Sequence, residues 1–209
     1  MKRLDKRPSI YLIRHCSTKD SEEKRYSGRE TPLNSKGINE AHKLAKEFVR
    51  IGIKRIYSSP YERARETAKI IQNSCRCSLE IIDNLREIDH GLWTGYTVEE
   101  VKKIWKKEFD MRGKFPKIIP PPGGETLQHL QKRTLEALKE IIASNYQGKT
   151  LIVAHGGNIH TLWMFLLNVN LNDFWDFSKI NKIECSNIYL LGNAGGLFLK
   201  RNSVSLVKI

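Results

Sequence analysis

The chain predicts an α/β fold, a three-layer α/β/α sandwich around a mostly parallel mixed sheet. Three observations carry this expectation. Short apolar runs alternate with longer segments of helical periodicity, the order that yields parallel strands joined by covering helices. Two of those runs, Ser9-Ile10-Tyr11-Leu12-Ile13 and Thr150-Leu151-Ile152-Val153-Ala154, stop abruptly at Arg14-His15 and at His155-Gly156-Gly157. Near the C-terminus, 187–191 and 197–201 flank Gly192-Asn193-Ala194-Gly195-Gly196 and read as a hairpin adding antiparallel edge strands.

Taken in order, the first strand is 9–13. A loop follows to Pro32-Leu33-Asn34, and Ser35 is the N-cap expected for a helix over 36–51. Ile38, Ala41, Leu44, Ala45, Phe48 and Val49 recur there at helical spacing, and Gly52 supplies the stop. Residues 54–57 form a short strand. Ser58-Ser59-Pro60 then opens a helix over 61–72, with Pro60 at its first turn. Residues 78–83 read as a further strand. The stretch from Glu87 to Pro122 is less regular, with a helix at 98–108 and a loop at 111–124. Its position suits a cap-like insertion over a site, around 88–124. A helix over 125–144 carries Leu127, Leu130, Thr134, Leu138 and Ile141 on one face. After strand 150–154 comes an apolar helix over 159–167, and a last strand at 205–209 closes the sheet. Without an internal repeat, linker or low-complexity tract, 1–209 are expected to form a single domain.

The composition of the 209 residues, 40% apolar and 28% charged, is that of a soluble globular protein. No apolar run approaches the length needed to span a bilayer. The basic start, Met1 to Arg7, precedes an apolar stretch too short for a signal peptide, so the expected location is cytoplasmic. Cys16, Cys75, Cys77 and Cys185 show no metal-type spacing and are expected as free thiols. The net charge of +13 is scattered. Its densest run, Lys102 to Lys107, suits a solvated helix face, and no nucleic-acid motif is present. A small anionic substrate fits the charge. No nucleic-acid or membrane partner is expected, and the chain is expected to be a monomer or homodimer.

Four segments carry chemistry. Arg14-His15 sets a bidentate phosphate binder beside a ring able to act as nucleophile. A lone histidine at a strand end is commonly structural. Two of them, one joined to Arg14 and the other to two glycines, place one site at one edge of one sheet. Ser58 to Ala68 puts Arg63 and Arg65 in the first turns of a helix, where free backbone N–H groups favour an anion. Leu85 to Gly95 offers Glu87, Asp89 and His90, and residue chemistry alone does not choose between the carboxylates as proton donor. Finally, Gly156 and Gly157 let the backbone approach an anion at the start of the next helix.

These segments, in this order, resemble the histidine phosphatase superfamily, the phosphoglycerate mutase-like group. Its mark is Arg-His-Gly after the first strand and a second histidine after a later one; here Cys16 stands in the place of that glycine. The family pattern Ser-Ser-Pro-x-x-Arg-Ala-x-x-Thr-Ala falls on 58–68 and assigns phosphate binding to Arg63, leaving Arg65 at a variable position. Leu-x-Glu-x-x-x-Gly-x-Trp-x-Gly falls on 85–95 and selects Glu87 as the acid. The resemblance implies a phosphate monoester hydrolase working through a phosphohistidine. His15 is then the nucleophile, Glu87 the proton donor, and Arg14, Arg63, His155 and Gly156 bind the substrate phosphate, with no cofactor and no metal. Cys16 is the competing nucleophile.

Residues 26–37 and Pro120-Pro121-Pro122-Gly123-Gly124-Glu125-Thr126 are similar to segments of α-ribazole-5′-phosphate phosphatases, which implies α-ribazole 5′-phosphate as substrate. Phosphoserine phosphatases of the same fold are the alternative. A cofactor-dependent phosphoglycerate mutase is a further alternative. Such mutases usually carry Trp-Asn where Asp20-Ser21 stand, and a longer middle section, and both departures favour a phosphatase. A non-catalytic binder of phospho-ligands is the other alternative, and it would have no use for Glu87.

Overall fold

The computed structural model describes residues 10–144, 148–193 and 197–201, with side chains as far as Leu191. Strand β1 (Ile10–Arg14) is followed by a one-turn helix α1 (Lys19–Glu22) and the long α2 (Ser35–Ile51). Then come β2 (Arg55–Ser58), α3 (Glu62–Cys75), β3 (Ser78–Ile81), α4 (Val98–Ile104), α5 (Lys106–Lys114) and α6 (Leu127–Ala143). The chain continues through β4 (Thr150–Ala154), α7 (Gly156–Leu166), α8 (Phe174–Ile180), β5 (Tyr189–Asn193) and β6 (Leu197–Arg201).

The six strands lie in the order β3-β2-β4-β1-β5-β6. The first four are mutually parallel, β5 pairs antiparallel with β1 and β6 pairs antiparallel with β5, so the sheet is mixed and mostly parallel as expected. Because side chains alternate along a strand, the central strands β1, β2 and β4 feed two cores. Leu12, Tyr57 and Ile152 pack on one face with Ala137, Leu138 and Ile141 of α6 and Ile159 and Leu162 of α7. Ile13, Ile56, Leu151 and Val153 pack on the other with Ala41, Leu44 and Phe48 of α2 and Ala64, Ala68 and Ile71 of α3. These are the three layers.

Several boundaries differ from expectation. Asn34, not Ser35, caps α2, because its Oδ1 accepts the Gly37 N–H at 2.8 Å. Gly52 ends that helix in the left-handed conformation, as anticipated. The single helix expected at 98–108 breaks at Trp105, whose backbone is non-helical and whose ring packs edge-on against Tyr96. Helix resumes as α5, well into the stretch expected to be loop. The helix after β4 begins at Gly156 rather than near 159, so the two glycines form its first turn. Neither α1 nor α8 was foreseen, each being too short for a periodic signal. The strand expected at 205–209 lies outside the described residues. No helix among those described is long and apolar enough to cross a membrane.

Candidate active site

Strands β1 and β4 are neighbours, paired so that Arg14 lies opposite Ala154. His15 and His155 are therefore the next residues out on adjacent parallel strands, and their ring centroids lie 5.2 Å apart. The backbone N–H of His15 continues the ladder to the Ala154 carbonyl at 2.9 Å. Both rings are buried.

Two hydrogen bonds define the protonation of His15. Its Nδ1 lies 2.8 Å from the Cys16 carbonyl, which can only accept. Its Nε2 lies 3.1 Å from Arg63 Nε, whose N–H can only donate. The proton is on Nδ1, and Nε2 presents a lone pair. Arg63 stands in the first turn of α3 and is 1% exposed. Its Nη1 also donates to the Gly28 carbonyl at 2.7 Å. Thr67, one turn on, accepts the Cys16 N–H and donates to the Arg63 carbonyl, tying α3 to the β1 exit. Arg14 Nη1 donates to the Ile183 carbonyl at 3.2 Å, and its buried Nε has no partner among the described residues.

Burial, reinforced by the Arg63 and Arg14 charges, holds the His15 imidazole well below its ordinary range. His155 is held low by burial first, then by Arg63, His15 and Arg14. Burial also pushes Arg63 below the usual guanidinium value, against the pull of the Glu87 carboxylate.

His155 Nε2 lies 2.7 Å from Ser59 Oγ, which itself accepts the Tyr61 N–H. Its Nδ1 is buried, makes no hydrogen bond among the described residues, and faces Glu87 Oε2 at 4.0 Å. Glu87 Oε1 accepts the Ile88 N–H at 3.0 Å. The structure thus brings Arg14, His15, Arg63, Glu87 and His155 together. Of the two glycines, Gly156 has open space where a Cβ would stand, whereas a Cβ at Gly157 would meet Glu87 Oε1 at 2.5 Å. The steric demand falls on Gly157, so that Glu87 can reach the start of α7. That helix has no side-chain N-cap and presents unspent backbone N–H groups.

Residues 10–200 match the family described as the histidine phosphatase superfamily, branch 1. The chain belongs to that superfamily. A relative named Phosphoserine phosphatase 1, from Hydrogenobacter thermophilus, is 33% identical over 175 residues, covering 82% of each chain. The solved structure of Bacillus stearothermophilus YhfR superposes with a TM-score of 0.85 at 28% identity, covering 95% of this chain and 98% of that one. The α-ribazole phosphatase from Shigella flexneri shares the fold, with a TM-score of 0.80 at 23% identity over 92% and 95% of the two chains.

In this superfamily member the remaining sequence candidates fall outside the cluster. Arg65 is on the helix surface, paired with Glu62 at 3.4 Å. Asp89 shapes its loop, accepting the Gly91 N–H at 2.8 Å through its carboxylate. His90 stacks obliquely on Tyr26, and burial, then the Arg112 and Arg63 charges, pushes it down to about 3.

Sequence reasoning missed Arg133 and read Glu125 as the first residue of the 125–144 helix, which in the structure begins at Leu127. Arg133 is 2% exposed and meets the Glu125 carboxylate through two bonds of 2.7 Å. It also donates to the carbonyls of Asn84, Arg86 and Glu87. Glu125 in turn accepts the Asp89 N–H at 3.3 Å. The Arg133–Glu125 pair therefore holds the backbone from 84 to 89, and with it Glu87, with Asn158 Nδ2 adding a bond to the Arg86 carbonyl at 3.3 Å. A signal was present: Arg133 lies within the apolar stripe of α6, beside Leu130, Ala137 and Leu138. A charge there requires buried partners.

Proposed function

We propose that the chain is a phosphate monoester hydrolase that forms a phosphohistidine at His15 Nε2. The observation that carries this is the His15 tautomer. Nδ1–H is committed to the Cys16 carbonyl, and Nε2 holds a lone pair inside a cluster of two guanidiniums. In this reading the substrate phosphate displaces Arg63 Nε from Nε2 and takes over its N–H donors. Nε2 then attacks phosphorus in line, forming the P–N bond as the ester P–O bond breaks. Arg14, Arg63 and His155 stabilise the equatorial oxygens. Ser59, with Tyr61 N–H on its acceptor side, is free to donate to His155 Nε2; the His155 proton then sits on Nδ1, the nitrogen with no other bond. Glu87 gives its proton to the leaving alkoxide and recovers one from the water that hydrolyses the P–N bond. The buried positive charge supports a metal-independent reaction.

Residues 88–124 act in this reading as a cap within a single domain. Tyr26 N–H bonds to the Tyr96 carbonyl and Gly95 N–H to the Tyr26 carbonyl, joining this stretch to the loop whose Gly28 holds Arg63. For the natural substrate two readings remain. The segments 26–37 and 120–126 support α-ribazole 5′-phosphate. The 33% identical relative supports phosphoserine. A second observation favours phosphoserine. Arg112 of α5 is 3% exposed, and its Nε and Nη1 have no partner among the described residues. It acts electrostatically on His90, which Arg63 also influences. Its guanidinium lies over the Trp93 and Trp175 rings, and a buried guanidinium in the cap with two unspent donor nitrogens suits a small substrate with a second anionic group.

Rapid quenching with phosphoryl-labelled substrate, then peptide mapping, should place an acid-labile, alkali-stable label on His15. Label surviving in His15→Ala but lost in Cys16→Gly would reject the mechanism. A comparison of kcat/KM for α-ribazole 5′-phosphate, phosphoserine and 3-phosphoglycerate ranks the substrates.

A further inference from the structure

The sheet brings together two thiols and a carboxylate that are remote in sequence. Cys16 leaves β1, Glu40 lies on the second turn of α2, and Cys185 sits in the loop between α8 and β5. The two sulfurs and a Glu40 oxygen all lie within 4.8 Å of one another. The Cys185 thiol donates to Glu40 Oε2 at 3.2 Å. Cys16 is buried and its two companions are partly buried. All three line a cavity of about 630 Å³ that also reaches Arg14 and His15 but is not lined by Arg63, Glu87 or His155.

Three features make this a built cluster. First, the donor set is soft: two thiolates and one carboxylate suit Zn²⁺ and its neighbours, and do not suit Mg²⁺ or Ca²⁺. Second, the spacing is near that of a coordinated set. Metal–sulfur bonds of about 2.3 Å and metal–oxygen bonds of about 2.1 Å place tetrahedral neighbours roughly 3.5–3.8 Å apart. The present atoms need to close by about an ångström at most. Third, the carboxylate is already aimed. Ser17 holds it through its N–H at 2.9 Å and its Oγ at 3.0 Å. The first turn of α2 presses onto Ser17 because Gly37 has no side chain there; a Cβ would meet the Ser17 carbonyl at 2.1 Å. By contrast, Cys75 and Cys77 gather no third ligand residue among the described residues.

We propose that Cys16, Glu40 and Cys185 form a binding site for one thiophilic divalent cation of the Zn²⁺ class. Both thiols lose their protons to solvent on binding, and the fourth position opens to the cavity, where water completes the tetrahedron. The cation joins the β1 exit to the loop whose Ile183 carbonyl holds Arg14. None of the three side chains takes part in the proposed phosphoryl transfer, so the site stands or falls independently of it.

The test is a titration of the full chain, kept reduced by a phosphine, with Co²⁺ as the spectroscopic probe. One equivalent should produce thiolate-to-cobalt charge-transfer absorption and the visible bands of a tetrahedral centre, both removed by Zn²⁺. Cys185→Ser should lose about half of the charge-transfer intensity and bind at least tenfold more weakly. The double change Cys75→Ser with Cys77→Ser should bind as the parent does. Zn²⁺ should raise the melting temperature of the parent and not of Cys185→Ser, because a ligand of the folded state alone stabilises it. Should Cys185→Ser fail to fold, Glu40→Gln serves instead, keeping the thiolate absorption with at least tenfold weaker binding. No thiolate band in the parent overturns the proposal. So does a band that persists in Cys185→Ser and disappears in the Cys75/Cys77 variant.

Discussion

His15 and His155 follow neighbouring parallel strands whose ladder sets their separation, whereas Glu87 stands on irregular backbone that buried side chains tie in place, Arg133 through three carbonyls and Asn158 through one. The strand-borne half needs only correct pairing of β1 with β4, and Arg63 joins it because α3 packs against the same sheet. The loop-borne half has no ladder. Its geometry depends on a buried ion pair, which stays favourable only while both partners and their hydrogen bonds are present. The two halves should therefore fail differently.

The strand-borne half supplies the largest expected loss. His15→Ala should reduce turnover of any phosphate ester by at least about a thousandfold, since the proposed mechanism makes it the group that bonds to phosphorus. Residual activity near the parent level would move the nucleophile elsewhere. Glu87→Gln comes next. It should cost roughly a hundredfold to ten-thousandfold on alkyl phosphates. The loss on p-nitrophenyl phosphate should be far smaller, because that leaving group needs little protonation. Equal losses on both substrates would make Glu87 a positional group and turn attention to Asp89.

Arg133→Lys sharpens the contrast between the halves. The lysine keeps the charge but cannot make the two-pronged bond to Glu125 or reach all three carbonyls. As a positioning change it should cost up to about a hundredfold on alkyl phosphates. It should share the leaving-group signature of Glu87→Gln while the phosphohistidine still forms. Glu125→Gln should lower the unfolding free energy by about 3–5 kcal/mol, the loss expected when one partner of a buried pair is removed. Denaturant titration measures it.

A smaller effect concerns acid. His15, His90 and His155 are all held below the ordinary imidazole range in the folded protein. Below about pH 6.5 the unfolded chain binds protons that the folded chain does not, so stability falls as pH falls. Each of these histidines contributes ~1.4 kcal/mol per pH unit. For His90 the decline continues toward its folded value of about 3. Urea midpoints between pH 7 and 5.5 should show the slope, and His90→Gln should make it shallower. A flat profile would mean that these rings are not held neutral. The smallest expected effect is none: EDTA should leave turnover unchanged, and activity that vanishes in EDTA and returns with Mg²⁺ would break the metal-independent reading.

Local sequence determined the parts that repeat along one chain segment. Strand–helix alternation gave the layered fold, because burial on both faces of a parallel sheet demands apolar strands and amphipathic helices. The Arg14-His15 and His155-Gly156-Gly157 strand ends, with Arg63 after Ser58-Ser59-Pro60, marked in advance which side chains cluster, since residues at strand ends and helix starts inherit their places from those elements. Only the tertiary structure decided what depends on segments distant in sequence. It showed Arg133 reaching from α6 to three carbonyls, Gly157 rather than Gly156 under steric demand, and Arg63 as the partner that defines the His15 tautomer. It also assembled Cys16, Glu40 and Cys185, whose spacing in the chain carries no ligand pattern. Periodicity records which face of an element is buried; which atoms meet across that face depends on how the elements pack.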